Sequence, residues 1–173
     1  MPSLKDIRNG IKAVKNTQKI TRAMKMVAAA KLRKAQLAAE GVRPYANRLQ
    51  ETIWEISQLT DVAEHPLLEE REPKNVMVLV LTSDRGLCGG FNSSIIRTTE
   101  SFVRDNDDAF DQIALAIIGR KGNDHFSKRD YAIERSYNEV LTAPSMDKAR
   151  EIGNEMVGLY KDEGLDTLYV VYN

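Results

Sequence analysis

The sequence predicts an α/β protein in which one very long amino-terminal helix precedes a parallel sheet with helices on its faces. Two observations carry that prediction. Between residues 3 and 58 the only helix breakers are Gly10, Gly41 and Pro44, and apolar residues recur at helical spacing. After residue 75 the period changes: Val76–Leu81 (VMVLVL), Ile113–Ile118 (IALAII) and Leu168–Tyr172 (LYVVY) are short, nearly continuous apolar runs separated by helical stretches. Strands covered on both faces read this way. The chain is therefore expected to comprise a helical shaft (1–58), an acidic linker (59–75) and an α/β domain (76–173).

The shaft begins at PSLKD, where Ser3 is the expected N-cap and Asp6 stands in capping-box spacing near the positive end of the helix dipole. Pro44 removes one helical hydrogen bond, to the Glu40 carbonyl, so a bend is expected there rather than a stop. Fifty-odd residues at about 1.5 Å each give a rod of about 80 Å, a length that suggests a coiled coil. Leu4, Ile7, Ile11, Val14, Gln18, Thr21, Lys25, Ala28, Leu32 and Ala35 alternate spacings of three and four, as a coiled-coil seam does. Beside that seam Arg8, Lys12, Lys15, Lys19 and Arg22 form one basic stripe. From Ile20 onward Ala23, Met24, Met26 and Val27 leave the seam and encircle the axis. A helix apolar on every side must be enclosed by protein. Its expected packing residues are Ile7, Ile11, Val14, Met24, Val27, Ala28 and Leu32.

Residues 60–74 (TDVAEHPLLEEREPK) break the pattern with acids and prolines. In the domain beyond, helices are expected at 92–104, 121–128 and 145–163, the last ended by Gly164, with a further strand within YAIERSYNEV.

Composition narrows the function. A chain of 173 residues that is 42% hydrophobic and 29% charged is folded rather than disordered. The single cysteine, Cys88, rules out an internal disulfide, and His65 and His125 offer no zinc spacing. No apolar run approaches the roughly eighteen residues of a membrane span. Net charge is zero, yet residues 1–36 carry ten Lys/Arg against one acid, while the remainder carries 15 basic against 24 acidic residues. The amino-terminal segment is thus built to meet something negative.

The motif TSDRGLCGGFNSS (82–94) is a glycine-rich turn between strand and helix, and such turns can cradle phosphate on backbone N–H groups. Neither G-x-x-x-x-G-K-[ST] nor G-x-G-x-x-G is present, so the three glycines are expected to permit a tight, close-packed turn instead. GRKGND (119–124) reads as an ordinary strand-to-helix turn. Ser83 and Asp84 lack a nucleophile-elbow context, and neither histidine has a recognisable partner. Cys88, though beside Arg85, is expected to be a small buried residue. No catalytic residue, metal or cofactor site is expected.

The basic helix admits other readings. An α/β binding module with a basic helix for nucleic acid is one, but no aromatic residue interleaves the first 44 positions. A membrane-surface helix would have one apolar face, not apolar residues all round. A targeting peptide would be Arg- and Ser-rich and shorter. A small nucleotide-dependent enzyme would have to use Gly86–Gly90.

The motifs DIRNGIKAVKNTQKITRAMKMVAAAKLRKAQ, RPYA, SDRGLCGGFN, IGRKG and LYVVYN, in this order, resemble the gamma-subunit family of F-type ATP synthases over the whole chain. The resemblance implies a Rossmann-like parallel sheet domain and a central-stalk rotor without chemistry of its own. Such a rotor turns inside a ring of alpha and beta subunits, with epsilon and the membrane c-ring at its foot, and couples proton-driven rotation to the beta catalytic sites. It implies no cofactor and no nucleic acid. Transposed onto this sequence, Arg8, Lys12, Lys15, Lys19 and Arg22 become candidate contacts to acidic beta-subunit levers. The turn Asp84, Arg85, Gly86, Leu87, Cys88, Gly89 and Gly90 matches a family loop that lies close to such a lever.

Members of that family continue to a carboxy-terminal helix that pairs with the first, whereas this sequence stops in its last expected strand. The expectation is that the piece alone cannot transmit torque and self-associates or disorders through its unpaired seam. A start at MPSLKD directly before the helix suggests that no presequence was removed, which points to a bacterial protein on the cytoplasmic face of the inner membrane.

Overall fold

The computed structural model describes residues 3–59, 65–69 and 71–173. It divides into two compact units, 1–61 and 62–173.

The first unit is a single helix, α1 (Leu4–Leu59), of 56 residues. The predicted capping box forms: Asp6 N donates to Ser3 Oγ at 3.3 Å, and the Asp6 carboxylate accepts from Ser3 N at 3.1 Å and Ser3 Oγ at 2.8 Å. Those bonds hold the Asp6 carboxyl below its ordinary value. Pro44 does not stop the helix, which remains helical on both sides of it. Thr17 and Thr21 return their hydroxyls to the Ala13 and Thr17 carbonyls, satisfying polar side chains on the helix itself. No residue of α1 is buried.

The second unit opens with a 3-10 turn at Pro66–Leu68 and continues as β1 (Asn75–Leu81), α2 (Phe91–Asp105), β2 (Gln112–Ile118), α3 (Arg120–Phe126), β3 (Ile133–Tyr137), α4 (Met146–Asp162) and β4 (Thr167–Val171). The four strands are all parallel in the order β3-β2-β1-β4. Each predicted strand is present, and β3 is the stretch within YAIERSYNEV. The helix predicted at 121–128 ends earlier than expected, because Ser127 caps it after Phe126. Gly164, at φ 77°, turns the chain after α4 as predicted.

Alternation along β1 and β2 divides the core in two. Val78, Val80, Leu115 and Ile117 pack with Ile95 of α2 and Phe126 of α3. Met77, Ala114, Ala116 and Ile118 pack with Ile152, Met156 and Leu159 of α4. Helices thus cover both faces of the two central strands, which is why these runs are apolar at every position rather than at alternate ones. The segment before β1 is tied to the end of α4. Arg71 Nη1 donates to the Tyr160 carbonyl at 2.7 Å and the Leu165 carbonyl at 3.2 Å, its guanidinium lies 4.0 Å from the Tyr160 ring centroid, and Tyr160 Oη donates to the Glu69 carbonyl.

Candidate functional site

Two surfaces carry the predicted partner-binding residues. On α1, the stripe residues Arg8, Lys12, Lys15, Lys19 and Arg22 are all exposed, and among the described residues no ion pair engages them. The predicted packing residues Ile7, Ile11, Val14, Met24, Val27, Ala28 and Leu32 are exposed as well. Among the described residues none of α1 is buried, whereas a helix with this pattern calls for enclosure by protein.

The second surface is the rim formed at the carboxyl ends of β1, β2 and β3. Thr82, fully buried, directs Oγ1 toward the Ile118 and Gly119 carbonyls and accepts from Gly122 N at 2.8 Å. Asp84 follows it. Its Oδ1 accepts from Arg120 N at 3.0 Å and Glu139 N at 3.3 Å, and its Oδ2 accepts from Thr142 Oγ1 at 3.1 Å. One carboxylate therefore joins the turns after β1, β2 and β3. The Arg120 N–H bond, above all, holds the Asp84 carboxyl below its ordinary value, outweighing the opposing effect of burial. Although Asp84 belongs to the turn expected to meet a partner, its carboxylate faces inward. The exposed part of that turn is Arg85–Gly90.

Asn92, at the start of α2, braces the exposed part. Its Oδ1 accepts from Ser83 N at 2.9 Å and Ser83 Oγ at 3.1 Å, and its Nδ2 donates to Cys88 Sγ at 3.1 Å and more weakly to the Arg85 carbonyl at 3.4 Å. Leu87, at φ 61°, is 96% exposed at the tip.

Three expectations are corrected here. Cys88 is exposed, not buried, because the turn leaves the sheet before reaching it. Close packing belongs to the other glycine turn. A Cβ on Gly119 would stand 1.8 Å from the Thr82 carbonyl oxygen and one on Gly122 2.7 Å from Thr82 Oγ1, whereas Gly86 and Gly90 have only ordinary contacts and Gly89 has open space. The turn 119–124 connects β2 to α3 as expected, and it is the close-packed one. His125 also has a partner, Glu100, at 2.8 Å between α3 and α2, and His65 Nδ1 accepts from Leu67 N.

Elsewhere Tyr137 donates to Glu155, which also accepts from Arg135 Nε at 2.6 Å, fastening β3 to α4. Burial, then this bond, pushes the Tyr137 hydroxyl up; the same bond leads in holding Glu155 down. Among the described residues no group of three or more potential metal ligands occurs, and no helix is long and apolar enough to cross a membrane. The sequence did not single out Thr82, Asn92 and Arg120. A usable signal was the pairing of SDRG and GRKG directly after adjacent apolar strands, since register places both turns at one end of the sheet.

Known proteins resemble this one along its length. The family model described as ATP synthase matches residues 3–173. An ATP synthase gamma chain of Anaeromyxobacter sp. (strain Fw109-5) is 44% identical across all of this chain, which spans 61% of that relative. The gamma chain of Desulforamulus reducens is 42% identical, with 60% of its length spanned. The chain thus spans about three fifths of the curated relatives it matches. Among solved structures, the central stalk and c-ring of the Tetrahymena thermophila mitochondrial ATP synthase matches 89% of this chain and 65% of the compared chain at 26% identity, with a TM-score of 0.69. With a family model matched over residues 3–173, the chain belongs to the ATP synthase family.

Proposed function

We propose that this chain is the larger part of a central-stalk rotor. The rotor turns with a proton-driven membrane ring and imposes successive conformations on the catalytic sites of surrounding alpha and beta subunits. It performs no chemistry itself and works as a peripheral subunit on the cytoplasmic face of a bacterial membrane, with an epsilon subunit and the c-ring at its foot. The observation that carries this reading is α1: 56 helical residues, none buried, apolar around the axis at 24–30 and cationic along one stripe. A helix of that surface is stable only when partners enclose it, and a row of uncompensated cations steers toward acidic groups. The Tetrahymena central stalk, similar in fold, and the gamma-chain relatives support the same role.

In this role Arg8, Lys12, Lys15, Lys19 and Arg22 meet acidic levers on beta subunits, Arg85–Gly90 approaches one of them, and Ile7, Ile11, Val14, Met24, Val27, Ala28 and Leu32 pack within the shaft and its bearing. The domain bounds 1–58, 59–75 and 76–173 correspond to shaft, connection and foot. The test is reconstitution of the full-length protein with alpha and beta subunits and the membrane sector, followed by reversal of the stripe to glutamate. Coupled ATP synthesis should fall steeply, and unchanged synthesis would remove the lever assignment. A full-length protein that never assembles with alpha and beta would remove the rotor reading itself.

A further inference from the structure

The Arg71 guanidinium has all three of its nitrogens engaged. Nη1 donates to the Tyr160 and Leu165 carbonyls at 2.7 and 3.2 Å, and Nε and Nη2 both donate to the Glu69 carboxylate at 3.0 Å. Its central carbon lies 4.0 Å from the Tyr160 ring centroid. Tyr160 stands in the last turn of α4, whose final carbonyls have no partner within the helix, so a cation is favoured there both as donor and as charge. Glu69 fixes the orientation of the fork, and its own carbonyl accepts from Tyr160 Oη at 3.0 Å. The Arg71 side chain is 23% exposed, and partial withdrawal from water strengthens these bonds.

This arrangement is more than β1 needs. Lys74 N and Asn75 N already donate to Asp166 Oδ2 at 3.1 and 2.7 Å, Asp166 N donates to the Asn75 carbonyl, and β1 then pairs with β2 on one side and β4 on the other. Arg71 comes before all of these bonds, on the stretch of chain that arrives from α1. Without it, a pull on that stretch would meet the Asp166 bonds and the first pairs of β1 one after another, as in peeling. With it, the pull first meets several bonds of one rigid group that have to break together. We infer that Arg71 is a positioning residue of the rotor, an anchor that passes turning force between the chain leaving α1 and the end of α4, sparing the first pairs of β1. The inference rests on the rotor reading and deepens it by naming a residue through which the shaft drags the α/β domain. A clamp that served folding alone would give no dependence on load.

The test uses the full-length protein assembled with alpha and beta subunits. The ring is fixed to a surface and a bead is carried on the α/β domain, so that ATP hydrolysis turns the shaft and the shaft must drag the domain. Arg71→Ala and Arg71→Lys should stall with large beads that the parent still turns, each judged against its own rotation with a small bead. Phe126→Leu is the control for lost stability alone, since it opens the fully buried core on the other face of the sheet, and urea melts show how far each variant is destabilised. It should turn the large beads as the parent does. Arg71 variants that keep pace with the parent under load, or a Phe126→Leu protein that stalls as they do, would overturn the anchor and leave the rotor reading intact. Parent assemblies that do not turn at all would overturn both.

Discussion

Gly122 N donates to Thr82 Oγ1 at 2.8 Å, and a Cβ on Gly122 would stand only 2.7 Å from that same oxygen. The bond and the missing side chain are one arrangement: α3 starts where it does because its first turn closes onto a buried threonine.

Alanine at Gly119 or Gly122 should therefore destabilise the α/β domain. At Gly119 the obstacle is backbone and φ is 97°, so overpacking and conformational strain combine to about 3 kcal/mol or more. At Gly122 the neighbours are side-chain atoms, and a cost of about 1–3 kcal/mol is expected. Urea melts of the full-length protein and both variants will rank them, and equal stability of Gly119→Ala with the parent would contradict the geometry.

Asp84 predicts an acid dependence. Its carboxyl lies below its ordinary value of 3.8 in the folded state, so its contribution is complete above that pH and is lost as pH falls from there through the folded-state value. Asp84→Asn should remove about 1–3 kcal/mol near neutral pH and flatten the acid limb of the stability curve. Denaturant titrations from neutral pH down to about pH 3 will show it; parallel curves would mean the carboxylate is not the joint between turns. Asp166, held down chiefly by Asn75 N, shifts the parent curve in the same direction and remains in both proteins.

Arg71→Lys should loosen the connection before β1. Lysine has one nitrogen, so it cannot bond the Tyr160 and Leu165 carbonyls, as Arg71 Nη1 does, while also holding the Glu69 carboxylate, as Nε and Nη2 do, and lying flat over Tyr160; about 1–2 kcal/mol should be lost. Hydrogen exchange should quicken at 65–69 and at the end of α4, and unaltered protection there would show the clamp to be idle.

Cys88 should react with one equivalent of a maleimide in the native protein, without denaturant, since its thiol is exposed. Labelling that appears only on unfolding would place it inside and restore the reading drawn from its rarity alone.

How far the sequence was legible depended on how local the cause was. The runs at 76–81, 113–118 and 168–172 and the Ser3–Asp6 cap are set by neighbours in the chain, and each forms the element its pattern implies. Gly89, at φ 58°, does serve the tight turn its motif implies, but close packing was assigned to the wrong turn because its cause is remote. Gly119 answers to Thr82, 37 residues earlier, and only strand pairing brings them together. Cys88 failed for a related reason: rarity predicts burial on average, but a turn that leaves the sheet after Asp84 carries its next residues outward. His125 and Glu100 lie on different helices, and no spacing rule joins them.

The stripe on α1 has a consequence for timing. Residues at 4-3-4-3 intervals average 3.5 per turn, whereas the helix makes about 3.6, so the line of charge slips by about 20° each heptad. From Arg8 to Arg22, two heptads and about 21 Å, it winds like a shallow left-handed thread through about 40°. In the rotor proposed above, a revolving screw of this pitch would present its cations to a stationary carboxylate at one height earlier than to another at a different height. Contacts along the rod would then be handed on in sequence instead of breaking together, smoothing the energy barrier over an arc.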